Sequence, residues 1–247
     1  MTPLLVATGI AVFAGAALQA ATGFGFALLA APLAFAALDP HEAIGLLLLL
    51  GMEIGVLTVA TEARRPRPMV RRCALVLAWA VPAAVVGVAV LKALDAVALQ
   101  VAVSLGVVAT LLMRRRSPVE HRGREPRWAA PATGLSAGAL VTSTNTSGPP
   151  LLLYFLGRGD EPDRVRDTLT VCQLGLSVIG VAALLVTGTR DALPNGGLVA
   201  VFVPLVLLAQ ITGRPLFAKL AACGAYEPVL NATLVVAVVA GLATAVI

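Results

Sequence analysis

Apolar residues in this chain come in long continuous runs, not in alternation and not at every third or fourth position. Short charged loops separate eight such blocks: Pro3–Leu38, Ala43–Ala60, Cys73–Leu91, Ala96–Met113, Trp128–Gly157, Thr168–Thr187, Leu198–Gly213 and Pro228–Ile247. A helix crosses about 30 Å of hydrocarbon in about 20 residues, so six of the blocks fit one span each. Transmembrane strands would alternate lipid-facing and lumen-facing residues over short stretches, and unbroken runs of Leu, Ala and Val do not. The pattern predicts an all-α integral membrane protein.

Two blocks do not fit one span. Pro3–Leu38 runs 36 residues without a charge, and Trp128–Gly157 runs 30 with a polar middle, Thr142–Pro150. Both are expected to be helices broken inside the membrane, as full hairpins or re-entrant pairs. The chain then divides into a first membrane repeat over 1–113, a basic linker over 114–127 and a second membrane repeat over 128–247, each repeat adding three plain spans to its broken helix.

Composition sharpens this. Of 247 residues 59% are apolar and 13% charged, which excludes an ordinary soluble enzyme and a disordered chain alike. Cys73, Cys172 and Cys223 are scattered and form no CxxC pair, so they define neither a disulfide framework nor a redox compartment. The N-terminus lacks the charged start of a signal peptide and its apolar run continues past any cleavage site; it is expected to be the first helix.

Charge gives orientation. Eleven of the eighteen cations lie in Thr61–Arg72 and Arg114–Arg127, and cytoplasmic loops collect Lys and Arg. Arg158–Asp167 and Arg214–Glu227 carry three and two more, Gly188–Gly197 only Arg190. With the basic loops inside, both broken blocks cross an even number of times and both termini lie outside. The net charge of +5 belongs to these loops and forms no basic face interleaved with aromatics, so no nucleic-acid partner is expected; an oligomer is compatible with the sequence.

A shift of 124 residues aligns Thr22–Leu29 with Thr146–Leu153, Asp39 with Asp163 and Gly51 with Gly175. Loop charge inverts between the halves, as it would for repeats of opposite topology. Inverted repeats with broken helices at matching positions are the architecture of secondary transporters, whose substrate sits at the repeat interface near the midplane.

The segments Thr22-Gly23-Phe24-Gly25-Phe26, with a following Pro32, and Thr146-Ser147-Gly148-Pro149-Pro150 resemble the two glycine-rich signatures of the TauE/SafE sulfite exporter family. Phe24 and Phe26 interrupt the first signature, and prolines replace glycines in the second. The resemblance spans nearly the whole chain and implies a multi-pass permease of the bacterial inner membrane for sulfite, sulfonates or related organosulfur anions.

An anion at bilayer depth needs positive potential, and no Lys or Arg lies centrally in any block. Helix N-termini supply about half a positive charge each, with free N–H donors. Pro149 suits the first turn of a restarting helix. Ser143, Asn145, Thr146 and Ser147 bring amide and hydroxyl groups to the same place, and Gly148 permits close approach. In the first half Thr22, Gly23 and Gly25 would do the same, with Gln19 as a further donor. The bland alternative is close helix packing by small residues. It weighs equally for Thr22–Gly25 and less for Thr142–Pro150, where nine residues rich in polar groups are costly in hydrocarbon unless they line a cavity. Glu53, well inside its block, is either a proton-coupling group or a neutral acid held between helices. Gln173 and Gln210 read as packing residues. His41 and His121 have no second ligand at metal spacing, so neither metal nor cofactor is expected. Asn231-Ala232-Thr233 matches a glycosylation sequon but reads as packing, and Arg214 and Lys219 read as anchors. The rival functions are a passive anion channel, an intramembrane enzyme, for which no nucleophile-base pair is present, and a structural subunit.

Overall fold

The computed structural model describes residues 3–62, 65–95, 97–99, 101–102, 105, 126–156, 160–189 and 192–222. Most of Ala96–Met113, the linker up to residue 125, His121, Cys223, Pro228–Ile247 and the Asn231 sequon lie outside them, as do the side chains of Arg214 and Lys219. The described residues are helical, with no strand among them: α1 Pro3–Thr22, α2 Phe26–Ala37, α3 Pro40–Ala60, α4 Val70–Ala93, α5 Ala129–Ser143, α6 Gly148–Leu156, α7 Pro162–Val186 and α8 Gly196–Ala222. Stretches of α1, α3, α4 and α7 are long and apolar enough to cross a membrane. Apolar side chains such as Trp79, Val81, Val85 and Val86 on α4, and Leu208 and Ile211 on α8, are exposed, as a lipid-facing surface requires.

Both over-long blocks are interrupted. The first stops at Thr22 and restarts at Phe26, with Gly23 (φ 79°) and Gly25 (φ 110°) in left-handed conformations. Such φ values are free of steric cost only for glycine, which is why the helix turns here. The second stops at Ser143 and restarts at Gly148, with Asn145 at φ 54°; Asn is among the few side chains that enter this region readily. Pro149 and Pro150 follow in the first turn of α6, where a missing N–H costs nothing. Thr8 Oγ1 donates to Leu33 O at 3.2 Å while Phe26 lies beside Gln19, so α2 runs back along α1 as a short hairpin arm.

Small residues set the helix contacts. Gly51 and Gly55 of α3 face Ser177 and Leu174 of α7, and Gly180 faces Leu48; this order makes the pair antiparallel. Gly134 and Gly138 of α5 lie against Val76 and Ala80 of α4, and Gly87 against Ala139 and Thr142, a parallel pair. Without a hydrophobic force between helices in lipid, such backbone-to-backbone approaches carry the association. Further neighbours include α1 with α8, α2 with α3, α3 with α8, α4 with α7, α5 with α7, and α6 with both α5 and α7.

α7 and α8 extend furthest beyond their charge-free runs. α7 begins at Pro162, six residues before Thr168, because its first turns are held by loop 65–69: Arg67 N donates to Asp167 Oδ2 at 2.8 Å and Met69 N to Thr168 Oγ1 at 2.9 Å. α8 continues to Ala222, through Arg214 and Lys219.

Candidate functional site

The second break is the more polar. Ser143, Thr144, Asn145, Thr146 and Ser147 are all buried. Ser147 Oγ donates to Gln173 Oε1 at 3.0 Å, and Gln173 stands at the middle of α7, so the break lies at mid-depth. Thr144 and Thr146 hydroxyls pair at 2.7 Å. Thr142 donates to Ala84 O at 2.8 Å and Ser143 to Ala139 O at 2.8 Å. Those last two hydroxyl protons serve helix packing, which gives Ser143 the bland role in this conformation. Asn145, Thr146 and Ser147 lead directly into the N-terminus of α6.

The first break lies nearer the arginine-rich end. A Cβ placed on Gly23 would meet Arg166 O and Thr170 Oγ1, two turns before Gln173, or about 10 Å along the helix. Gln19 is buried, and its Oε1 accepts from Phe26 N at 3.2 Å. The side chain expected to donate to a ligand therefore also accepts, taking up the first N–H of α2. Gly25 packs against Leu18. Thr22 closes α1, its side chain outside the described residues. Phe24 lies close to the second break: a methyl built on Gly148 would lie 3.7 Å from Phe24 Cδ2. The aromatic that departs from the family's glycine run thus sits at the mouth of α6.

Glu53 is two residues from both Gly51 and Gly55, and so about 200° around α3 from the face that meets α7. Both its carboxyl oxygens are buried without a hydrogen-bond partner, and the same holds for the Gln210 amide. Burial of this kind is expensive in a membrane core. Gln173, read from the sequence as packing, is brought to the second break; Gln210 is not linked to either break by any hydrogen bond.

Charge reading alone missed Arg166, which it placed in a loop. In the second turn of α7 its Nη2 donates to Ala20 O at 2.7 Å and pairs with Glu62 Oε2 at 3.0 Å, capping the carbonyl end of α1. The Pro162-Asp163 start signal was the clue to a helix there. Beside it lies a cavity of about 10 Å³ lined in part by Thr58, Glu62, Arg166 and Thr170, room for about one water. Further out, Arg65, Arg67, Arg164, Glu161 and Asp163 line a cavity of ≈ 310 Å³.

Several membrane-capable helices, with two of the blocks broken, define a multi-pass helical membrane protein. The chain belongs to the sulfite exporter TauE/SafE family, whose profile it matches over residues 7–245. That family consists of membrane anion exporters, in keeping with a protein that is not an enzyme. No curated protein and no solved structure matches the chain.

Proposed function

We propose that the protein exports a small sulfur oxyanion, sulfite or an organosulfonate, by alternating access between two inverted repeats, with the anion held at the N-terminus of α6. The observation that carries this reading is the break at 144–147. It puts Asn145, Thr146 and Ser147, buried at mid-depth, ahead of a helix N-terminus with no lysine or arginine among them. Asn145 Nδ2 and the Thr146 and Ser147 hydroxyls donate to the oxyanion, the helix end supplies fractional positive charge, and Gly148 allows close approach. Gln19, Thr22, Gly23 and Gly25 serve the same anion from the first break when the two breaks draw level. The arginine-lined cavity is its vestibule, raising the local anion concentration.

The repeat relation is supported by equivalent neighbours. α1 pairs with α8 as α5 with α4, α2 with α3 as α6 with α7, and α3 with α8 as α7 with α4. The starts of α2 and α6, and those of α3 and α7, are 122 residues apart, as are the left-handed residues Gly23 and Asn145. These spacings favour a repeat register of 122 over the 124 suggested by matching letters. The antiparallel α3 and α7 fit opposite topology. With the basic loops on the cytoplasmic side of a bacterial inner membrane, Glu53 is the proton-coupling group, its carboxyl left without a partner in this conformation.

Flux of labelled sulfite, a sulfonate and sulfate in proteoliposomes under an imposed proton gradient tests the reading. One of the anions should move, and Asn145→Ala/Thr146→Ala in folded protein should abolish its flux. Glu53→Gln should leave downhill exchange but remove the response to the gradient. Conductance indifferent to both changes would identify a passive channel instead.

A further inference from the structure

We propose that Cys73 and Cys172 form a redox modification site, a thiol pair that closes to a disulfide tying α4 to α7. Their Sγ atoms are 2.7 Å apart, nearer than two sulfurs rest in ordinary packing and one short step from a bond of about 2.05 Å. Both residues are free thiols and almost fully buried. The pair is held in register from below. Met69 N donates to Thr168 Oγ1 at 2.9 Å, and Met69 and Thr168 each precede their cysteine by four residues, one helical turn. α4 and α7 run parallel here, and the cysteines are the next rung of the same ladder. Gly175 against Leu77 continues it one turn further.

The chemistry balances with a small neutral peroxide as oxidant. One cysteine, as its thiolate, attacks hydrogen peroxide; the O–O bond breaks, giving a sulfenic acid and a hydroxide that takes up the thiol's proton as water. The second thiol then displaces the hydroxyl from sulfur, forming the S–S bond and a second water. Two thiols lose two hydrogens and two electrons, and the peroxide is reduced. Cys73 sits in the first turn of α4, so an uncharged oxidant needs to enter only a short way from the arginine-rich end, where charged reagents would stay outside. The partner thiol, already in contact, intercepts the sulfenic acid before further oxidation.

α4 belongs to the first half of the chain and α7 to the second, so the bond joins the halves covalently. Arrest of transport then follows, and this consequence alone rests on the alternating-access reading above. The test uses full-length protein carrying Cys223→Ser, in lipid vesicles, treated with hydrogen peroxide, then denatured, alkylated and weighed. The expected product has no alkylated thiol and a mass lower by two hydrogens, both reversed by dithiothreitol. Cys172→Ser should never show the two-hydrogen loss. Two alkylatable thiols after treatment that fully oxidises a short cysteine peptide, or an added oxygen on one sulfur as the sole product, would overturn the site. In flux assays the oxidised protein should lose most of its transport and regain it on reduction, while Cys172→Ser is indifferent. Cross-linked protein that still transports overturns the arrest and leaves the transport reading standing. Absence of flux before oxidation overturns the transport reading, with the mass deciding the bond.

Discussion

Two glycines at the breaks separate folding from ligand binding. Gly23 has φ 79° and its missing Cβ would run into the Arg166 carbonyl, so Gly23→Ala carries about 1–2 kcal/mol of left-handed strain plus a collision with backbone that cannot move aside. A lower unfolding temperature in detergent is expected. Gly148 has ordinary φ, and an alanine there meets only Phe24 Cδ2 at an easy 3.7 Å. Gly148→Ala should therefore keep the native unfolding temperature yet raise the KM for the transported anion, because the methyl occupies the approach to the α6 N-terminus. Unchanged KM in Gly148→Ala would return that glycine to a packing role. The sequence carried part of this distinction: Gly and Pro marked both breaks. It could not say which glycine faces backbone and which faces space, since that depends on a helix 143 residues away in one case and a ring 124 residues away in the other.

At the scale of elements, α4 and α5 are held by glycine contacts and one interhelical hydrogen bond, Thr142 Oγ1 to Ala84 O at 2.8 Å. Such bonds between membrane helices average about 0.6 kcal/mol and reach about 1.7. Thr142→Val keeps the shape and removes the donor, so a small loss of that order is expected in denaturant unfolding, with flux retained. Gly138→Val, which drives a side chain into the Ala80 backbone, should be far worse and fail to assemble. The helices themselves were legible because hydrocarbon length demands runs of about 20 apolar residues, and the over-long blocks announced their own breaks. Helix ends were less legible. Asp163, Arg164, Arg166 and Asp167 ended the apolar run, but the helix continues through them because loop 65–69 supplies donors to Asp167 and Thr168, an interaction between residues 99 or 100 positions apart.

Across the whole molecule, the contacts tying the two ends differ in kind. At the arginine-rich end, Arg166 pairs with Glu62, Arg72 with Asp160 at 2.9 Å, and Arg67 N with Asp167. At the other end, Lys92 Nζ donates to Thr187 O and Asn195 N to Glu42 Oε1, both exposed. These contacts link α1, the end of α3, loop 65–69, α4 and the start of α7, and under the proposed alternating access they must break for the site to open toward the basic loops. The Arg166–Glu62 pair is the inner one, its side chains about one-fifth exposed, and it is joined to the carbonyl end of α1. A pair of this kind is worth up to about 1 kcal/mol, which as a bias between two states is roughly a five-fold change in population. Glu62→Gln should shift the protein toward the state open at that end. With Ser147→Cys as the sole cysteine, a membrane-impermeant maleimide applied from the arginine-rich side should label several-fold faster in Glu62→Gln, and no faster from the opposite side. Equal acceleration from both sides would mean general loosening, and unchanged labelling would mean that the ion pair holds structure without governing access.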